Sequence, residues 1–294
     1  MSVSRFFPCI PKDGRNRGIL AALAGNLLIS FDAVFIRLSG TGGCNTAFLF
    51  GLYTAVSMSV FIRFTAPKGV AGTLQQGGKP LVLLGLLMLG SASAFVLSIK
   101  HTAVANTVII MSSQPVLTAV LSWILLKEKT SGKLWAAIAA VICGIAVVVS
   151  GSLASGSLLG DGLALFTVAC LSLSATLLRK YKEISRPAVV GTGGFFLAIA
   201  MFFPADPGSF TLNTWLIMAV MGLFTAPLGR VMNAMSTRYI PAAEMAMITL
   251  IIAVFAPLWS FLLFKEQPPA ATLAGGAVIL GSILTYLLTT REPS

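Results

Sequence analysis

Residues 104–128 read VANTVIIMSSQPVLTAVLSWILLKE, in which 23 residues without a charged side chain are followed by Lys127 and Glu128. A bilayer core of about 30 Å requires about 20 apolar residues in a helix. Because backbone polar groups in lipid must be hydrogen-bonded within their own segment, a run of this length predicts a transmembrane helix.

Similar apolar runs occupy most of the chain on both sides of this stretch, separated by charged residues or by Pro and Gly clusters. The ten runs are Gly18–Leu38, Asn45–Phe64, Leu81–Ile99, Val104–Leu126, Leu134–Val149, Gly160–Leu178, Pro187–Phe203, Thr214–Met235, Ala242–Phe264 and Ala270–Leu288. The sequence therefore predicts an all-α polytopic membrane protein with ten transmembrane helices, called helices one to ten here. A basic segment, residues 1–17, precedes them.

The composition supports a membrane protein. Hydrophobic residues make up 56% of the chain and charged residues 10%, with a mean hydropathy of +0.93, whereas about a quarter of an ordinary soluble domain is charged. The Lys and Arg behind the net charge of +11 are dispersed between apolar runs, which argues against nucleic-acid binding. The four cysteines form no CxxC pair and two of them fall inside apolar runs, so neither a disulfide framework nor a zinc site is expected. No metal and no cofactor is expected.

The distribution of Lys and Arg predicts the orientation, because these residues accumulate in cytoplasmic loops. With the N-terminus inside, the outer segments contain only Arg37, Lys100 and Lys265, and nearly all the other Lys and Arg residues fall in cytoplasmic segments. This alternation predicts a multi-pass protein of the cell inner (plasma) membrane, with both termini cytoplasmic.

The chain also contains an internal repeat. Lys127-Glu128 at the end of helix four aligns with Lys265-Glu266 at the end of helix nine, and an offset of similar size places Arg37 on Arg179. Each unit, residues 18–150 and 151–290, would contain five helices. Since five is odd, the second unit would be inverted in the membrane, an arrangement that recurs in secondary transporters.

The segment from Pro115 to Glu128, followed by Gly144, resembles the EamA unit of the drug/metabolite transporter superfamily. The second half repeats the pattern through Glu266 and Gly281, but it has Ala253 where the proline would stand and Pro257 one turn later. Length, basic N-terminus and helix order are similar to YddG-type amino-acid exporters. The resemblance implies two inverted five-helix repeats around a central cavity, with helices one, three, four, six, eight and nine lining the cavity and helices five and ten packed outside.

Polar side chains recur at helical spacing along the predicted cavity-lining helices. Asn26 and Gln114 are the stronger candidates, because an unpaired amide in hydrocarbon costs about 2–7 kcal/mol, whereas Ser and Thr commonly hydrogen-bond between packed helices. The predicted substrate-binding residues are Asn26, Ser30, Ser91, Phe95, Ser98, Gln114, Thr118, Ser172, Thr176, Arg230, Asn233 and Trp259.

Helices five and ten carry small residues four apart instead of polar ones, which predicts close helix packing on those faces. The residues in these stripes are Ala136, Ala140 and Gly144 in helix five, and Ala277 and Gly281 in helix ten.

Charged residues within membrane spans are functional hypotheses by default. Arg230 could receive a substrate carboxylate or pair with Glu244. Asp32 could bind an ammonium group or a proton, or pair with Lys100 or Lys265. Asp32, Glu244 and His101 are the charge or coupling candidates. His101 could be a proton relay, but a solvated turn position is the simpler interpretation of this residue.

An enzyme is not expected, because the single histidine excludes an HExxH motif and no GxSxG motif is present. A multidrug cation exporter should carry a carboxylate at mid-membrane depth, where Asn26 stands and from which Asp32 is displaced. We therefore expect a monomeric secondary transporter that exports neutral or zwitterionic amino acids, aromatic ones included, and related metabolites by alternating access. A cationic-compound exporter and a non-transporting scaffold or channel are the alternatives, and the expected partners are a small solute and the lipid bilayer.

Overall fold

The computed structural model describes residues 14–67, 69–127, 132–155, 157–181, 183–236, 239, 248–249 and 251–289. Within these residues the chain is helical and contains no strand. The helices are α1 (Gly14–Ser30), α2 (Asp32–Leu38), α3 (Gly43–Thr65), α4 (Gly69–His101), α5 (Val104–Met111), α6 (Gln114–Leu126), α7 (Gly132–Ser155), α8 (Leu158–Lys180), α9 (Arg186–Phe202), α10 (Leu212–Ala219), α11 (Ala226–Ser236), α12 (Ile251–Phe264) and α13 (Ala270–Thr289). A short 3₁₀ helix, Pro207–Ser209, precedes α10.

The described helices include six segments that are long and apolar enough to cross a membrane. They are Arg15–Leu38, Gly43–Thr65, Gly69–His101, Val104–Leu126, Leu158–Leu178 and Leu212–Asn233. Four shorter apolar helices are Trp135–Gly151, Arg186–Phe202, Ile251–Phe264 and Ala270–Tyr286. Each of the ten predicted runs overlaps one of these segments, and the first part of the ninth run, at 242–247, lies outside the described residues. The count of ten spans and the inversion of the second unit stay predictions.

Three of the long segments are interrupted inside the predicted span. α1 and α2 meet at Phe31, and α5 and α6 meet at Ser112–Ser113. Pro115 lies in the first turn of α6. Because proline lacks an N–H and clashes with the preceding turn, it prevents one continuous helix there. Between α10 and α11 the residues Val220–Thr225 form a π-helical turn, a feature that often marks functional sites.

Apolar side chains cover the outer faces of the bundle as well as its core. Phe166, Phe195 and Val254 are 53%, 55% and 59% exposed, which in water would leave large unfavourable patches. Lipid tails are the solvent that suits such a surface. The main helix pairs are α3 with α9, α7 with α13, α4 with α8 and α9, and α1 with α11.

The packing face of α13 differs from the predicted one. Gly144 of α7 does pack closely as expected, but Ala136 of α7 and Ala277 and Gly281 of α13 are exposed. The α13 residues that face α7 include Gly275 and Ile279. The stripe through Gly275 and Ile279 lies two residues, or about 200°, around the helix from Ala277. Both stripes are small or apolar, so spacing alone did not distinguish them.

Candidate functional site

Two opposite charges meet inside the bundle. Arg230 Nη2 of α11 lies 3.7 Å from Asp32 Oδ2 at the start of α2. The Asp32 side chain is 2% exposed and that of Arg230 is 32% exposed, and the guanidinium lies over the Phe50 ring, 5.5 Å from its centroid. The structure thus gives Asp32 a partner, Arg230, that the sequence interpretation did not consider for it.

Each member of this ion pair retains unused hydrogen-bonding capacity. Asp32 Oδ1 and Arg230 Nη1 are buried and have no hydrogen-bond partner within the described part of the chain. Buried polar groups are normally hydrogen-bonded, so unpartnered ones require an explanation. Glu244, the other partner predicted for Arg230, lies outside the described residues.

Two amides join α1 to α11, one to two turns away from the ion pair. Asn233 Nδ2 donates to Asn26 Oδ1 at 3.0 Å, and Asn26 Nδ2 donates to the Ala22 carbonyl at 2.9 Å. Asn26 is fully buried, and Asn233 Oδ1 has no partner among the described residues. The amide pair and the ion pair therefore form one polar line between α1–α2 and α11.

Close helix packing positions this line. A Cβ on Gly25 would lie 2.8 Å from the Gly229 carbonyl oxygen, and a Cβ on Gly229 would lie 2.8 Å from the Gly25 carbonyl oxygen. The backbones of α1 and α11 can approach this closely only because both positions are glycine, as in other helix contacts made by small residues. Asn26 and Arg230 are the next residues along each helix, so the approach sets their spacing.

Two aromatic side chains, Phe31 and Trp259, lie beside this polar line. Trp259 of α12 donates from Nε1 to Ser30 Oγ at 3.0 Å and stacks on Phe31, with ring centroids 4.8 Å apart and planes inclined by 16°. Both rings line an apolar groove of about 440 Å³ between α1 and α12. The structure therefore brings together Asn26, Ser30, Asp32, Arg230, Asn233 and Trp259 of the predicted residues.

The predicted residues of helices three, four and six make hydrogen bonds between and within helices. Ser98 Oγ lies 2.7 Å from Thr107 Oγ1 and donates to the Gly160 carbonyl at 2.8 Å. Ser172 donates to the Gln114 carbonyl at 3.3 Å, and Thr176 donates to the Ser172 carbonyl at 2.9 Å.

The remaining predicted residues occupy varied positions. Ser91 is buried and donates to the Met88 carbonyl at 3.0 Å, whereas Phe95 and Thr118 are half-buried. His101 is exposed, with Nδ1 2.7 Å from the Leu97 carbonyl oxygen. An exposed ring bonded to its own helix end suits the simpler of the two interpretations of His101.

A second buried polar cluster was missed by the sequence interpretation. Asp161 in the first turn of α8 is 1% exposed and accepts hydrogen bonds from Thr102 Oγ1 at 2.9 Å and Asn106 Nδ2 at 3.4 Å. Thr272 Oγ1 of α13 donates to Asn106 Oδ1. The sequence signals that could have revealed this cluster are Asp161, an acid in the first turn of the sixth apolar run, and Asn106, an asparagine in the fourth apolar run.

The amide pair carries a stability prediction. Asn233→Ala removes the donor to the buried Asn26 Oδ1, so we expect a loss of about 1–3 kcal/mol in the free energy of unfolding. Denaturation of the purified protein in detergent measures this loss. Asn213, exposed on α10, is the matched control, and Asn213→Ala should change stability by less than about 0.5 kcal/mol. Equal effects of the two substitutions would show that the Asn26–Asn233 bond contributes nothing.

The described residues are all helical, with an apolar outer surface suited to lipid and paired charges inside, as in polytopic membrane proteins. Charged residues within the spans of such proteins are commonly functional. The model of the EamA-like transporter family matches residues 16–150 and again residues 158–288. The chain therefore belongs to the EamA-like transporter family, and the family matches twice along it.

Two individual proteins resemble the chain over most of its length. An uncharacterized transporter, YyaM of Bacillus subtilis (strain 168), is 26% identical over 264 residues, which are 85% of each chain. A protein of known crystal structure superimposes with a TM-score of 0.67 at 15% identity, covering 95% of this chain and all of that one. At this identity the second similarity concerns the fold alone.

Proposed function

We propose that this protein is a secondary transporter that exports amino acids and related zwitterionic metabolites by alternating access. The observation that carries the proposal is the Asp32–Arg230 pair inside the bundle, in which Asp32 Oδ1 and Arg230 Nη1 lack partners within the described residues. An α-amino acid carries an ammonium and a carboxylate on the same carbon atom. The ammonium would bind Asp32 Oδ1 and the carboxylate would bind Arg230 Nη1, both as charge-assisted hydrogen bonds.

The surroundings favour a substrate without net charge. Asp32 and Arg230 already neutralise each other, so a zwitterion adds no uncompensated charge to the site, whereas a lone ion would be costly to bury. Asn233 Oδ1 offers one further acceptor. The stacked Phe31 and Trp259 rings beside Ser30 suit an uncharged and preferably apolar side chain.

The repeated family match supports the alternating-access part of the proposal. Two successive units of five helices would have opposite orientations, and inverted units can exchange conformations to open one site to each side in turn. The prominent contacts of α3 with α9 and of α7 with α13 are between helices at corresponding places in the two units. Export as the direction, and the YddG-type subgroup, rest on the resemblance alone.

A cationic-drug exporter is the less favoured alternative. Such a protein needs a carboxylate whose charge is available to the drug, and Arg230 lies 3.7 Å from Asp32. The like charge of Arg230 would oppose a monovalent cation at the same place.

Competition for uptake into proteoliposomes tests the proposal. We expect neutral amino acids to inhibit uptake of a labelled neutral amino acid, and sugars, nucleosides and methyl viologen to have no effect. Two matched analogues sharpen the assay: an amino-acid amide lacks the carboxylate, and an N-acetyl amino acid lacks the ammonium. Each should compete about 10-fold to 100-fold less well, because each loses one charge-assisted hydrogen bond. Competition by methyl viologen with none by amino acids would contradict the proposal.

A further inference from the structure

Glu266, just beyond α12, connects three separate helices. Its Oε1 accepts from Arg37 Nη2 of α2 at 3.4 Å and from the Val104 backbone N–H at the start of α5 at 2.9 Å. Its Oε2 accepts from Ser260 Oγ of α12 at 2.7 Å. Arg37 also donates to the Thr102 carbonyl at 2.8 Å. One carboxylate and one guanidinium thus tie the ends of α2 and α12 to the turn between α4 and α5.

These contacts hold together the ends of α2 and α12, the helices that carry Asp32 and Trp259 of the candidate site. Arg37 lies five residues after Asp32 on α2, about 7 Å along the helix, and Ser260 directly follows Trp259 on α12. The α2 and α12 ends can therefore separate only if the Arg37–Glu266 pair breaks. Because its side chains are 30% and 22% exposed, water and salt weaken the pair, and it is easier to break than a buried one.

The sequence repeats this helix ending in the first unit. Residues 122–128 read SWILLKE and residues 260–266 read SFLLFKE. The two lysines share an unusual backbone conformation, with φ of 54° at Lys127 and 57° at Lys265, which is uncommon for any residue other than glycine. Glu128 itself lies outside the described residues. The shared turn indicates that the Lys-Glu ending is a recurrent structural element of each unit.

We propose that the Arg37–Glu266 ion pair is a latch that holds this end of the transporter shut and must break before solute can pass there. Arg37, Lys100 and Lys265 place this end on the predicted outer side of the membrane. The latch rests on the alternating-access part of the proposed function, not on the identity of the solute.

Thiol labelling from each side of the membrane tests the latch without a known substrate. Thr118→Cys, in a background with Cys9, Cys44, Cys143 and Cys170 replaced by Ser, places a reporter at mid-depth in α6. A charged, membrane-impermeant thiol reagent is added from outside in cells and from inside in inverted vesicles. Glu266→Gln should raise the outer-side labelling rate about threefold to fivefold, the population change that a part-exposed ion pair can produce.

Further variants separate a latch from a general structural role. Arg37→Gln keeps the Glu266 bonds to Val104 and Ser260 but removes the ion pair, and should raise outer labelling similarly. Arg37→Lys keeps the charge and should label at nearly the wild-type rate. Glu128→Gln, the same change in the repeated ending on the predicted inner side, should not raise outer labelling.

Two outcomes would overturn the latch. The first is an outer-side labelling rate that is the same, or undetectable, in the reporter protein and in both its Glu266→Gln and Arg37→Gln variants. The second is a rise with Glu128→Gln as large as with Glu266→Gln. An absence of amino-acid transport with a positive labelling result would reject the solute assignment and leave the latch supported.

Discussion

Replacing Arg230 alone with Gln is expected to destabilise the protein more than replacing Arg230 and Asp32 together. Arg230→Gln leaves the Asp32 carboxylate, 2% exposed, without its counter-charge. Breaking a fully buried pair from one side costs about 3–5 kcal/mol, and because Arg230 is 32% exposed we expect a smaller cost of about 2–3 kcal/mol here. The double variant Asp32→Asn/Arg230→Gln removes both charges and should recover most of that loss. Denaturation in detergent of the four proteins in this cycle gives the coupling energy directly.

The same double variant separates stability from transport. If the two charged groups bind the solute, Asp32→Asn/Arg230→Gln should fold but transport a zwitterionic amino acid about 100-fold or more slowly, because two charge-assisted hydrogen bonds are lost. The Asn213→Ala protein serves as the transport control. A double variant that transports at the wild-type rate would limit Asp32 and Arg230 to a structural role.

The helical elements could be predicted from the sequence because the bilayer itself fixes their length. Val104–Leu126 was recognised as one span from its apolar length, and the structure forms that span from α5 and α6. The break at Ser112–Ser113 follows from Pro115, a local signal. The π-helical turn at Val220–Thr225 has no comparably simple sequence signature, although Pro227 lies just after it.

The site was predictable only within single helices. Helical spacing places Asn26 and Ser30 on one face of α1, but no spacing rule connects Asp32 to Arg230, because they lie in different units and meet only after α1 and α11 pack. The Gly25–Gly229 approach that brings them together depends on which of several small-residue faces is used. The Asp161 cluster was missed for the same reason, since its members lie on α5, α8, α13 and the turn after α4.

The faces of α13 provide the sharpest test of helix packing, because one substitution should have opposite effects at two positions. A Cβ on Gly275 would lie 2.5 Å from the Gly144 carbonyl oxygen and 2.7 Å from Val148 Cγ2. The backbone of α7 cannot move away without losing its packing, so Gly275→Ala should cost about 1–3 kcal/mol.

Gly281→Ala, six residues further along α13, should instead stabilise the protein. A Cβ on Gly281 would meet nothing within 4 Å, and exchanging Gly for Ala within a helix contributes about 0.5–1 kcal/mol by reducing the freedom of the unfolded chain. Thermal denaturation of both variants in the same detergent shows whether each substitution raises or lowers the stability of the protein. A stabilising Gly275→Ala would mean that α7 and α13 do not meet at Gly144 and Gly275. A destabilising Gly281→Ala would instead restore the predicted packing face through Ala277 and Gly281, because only a neighbouring helix at that face makes an added methyl group unfavourable.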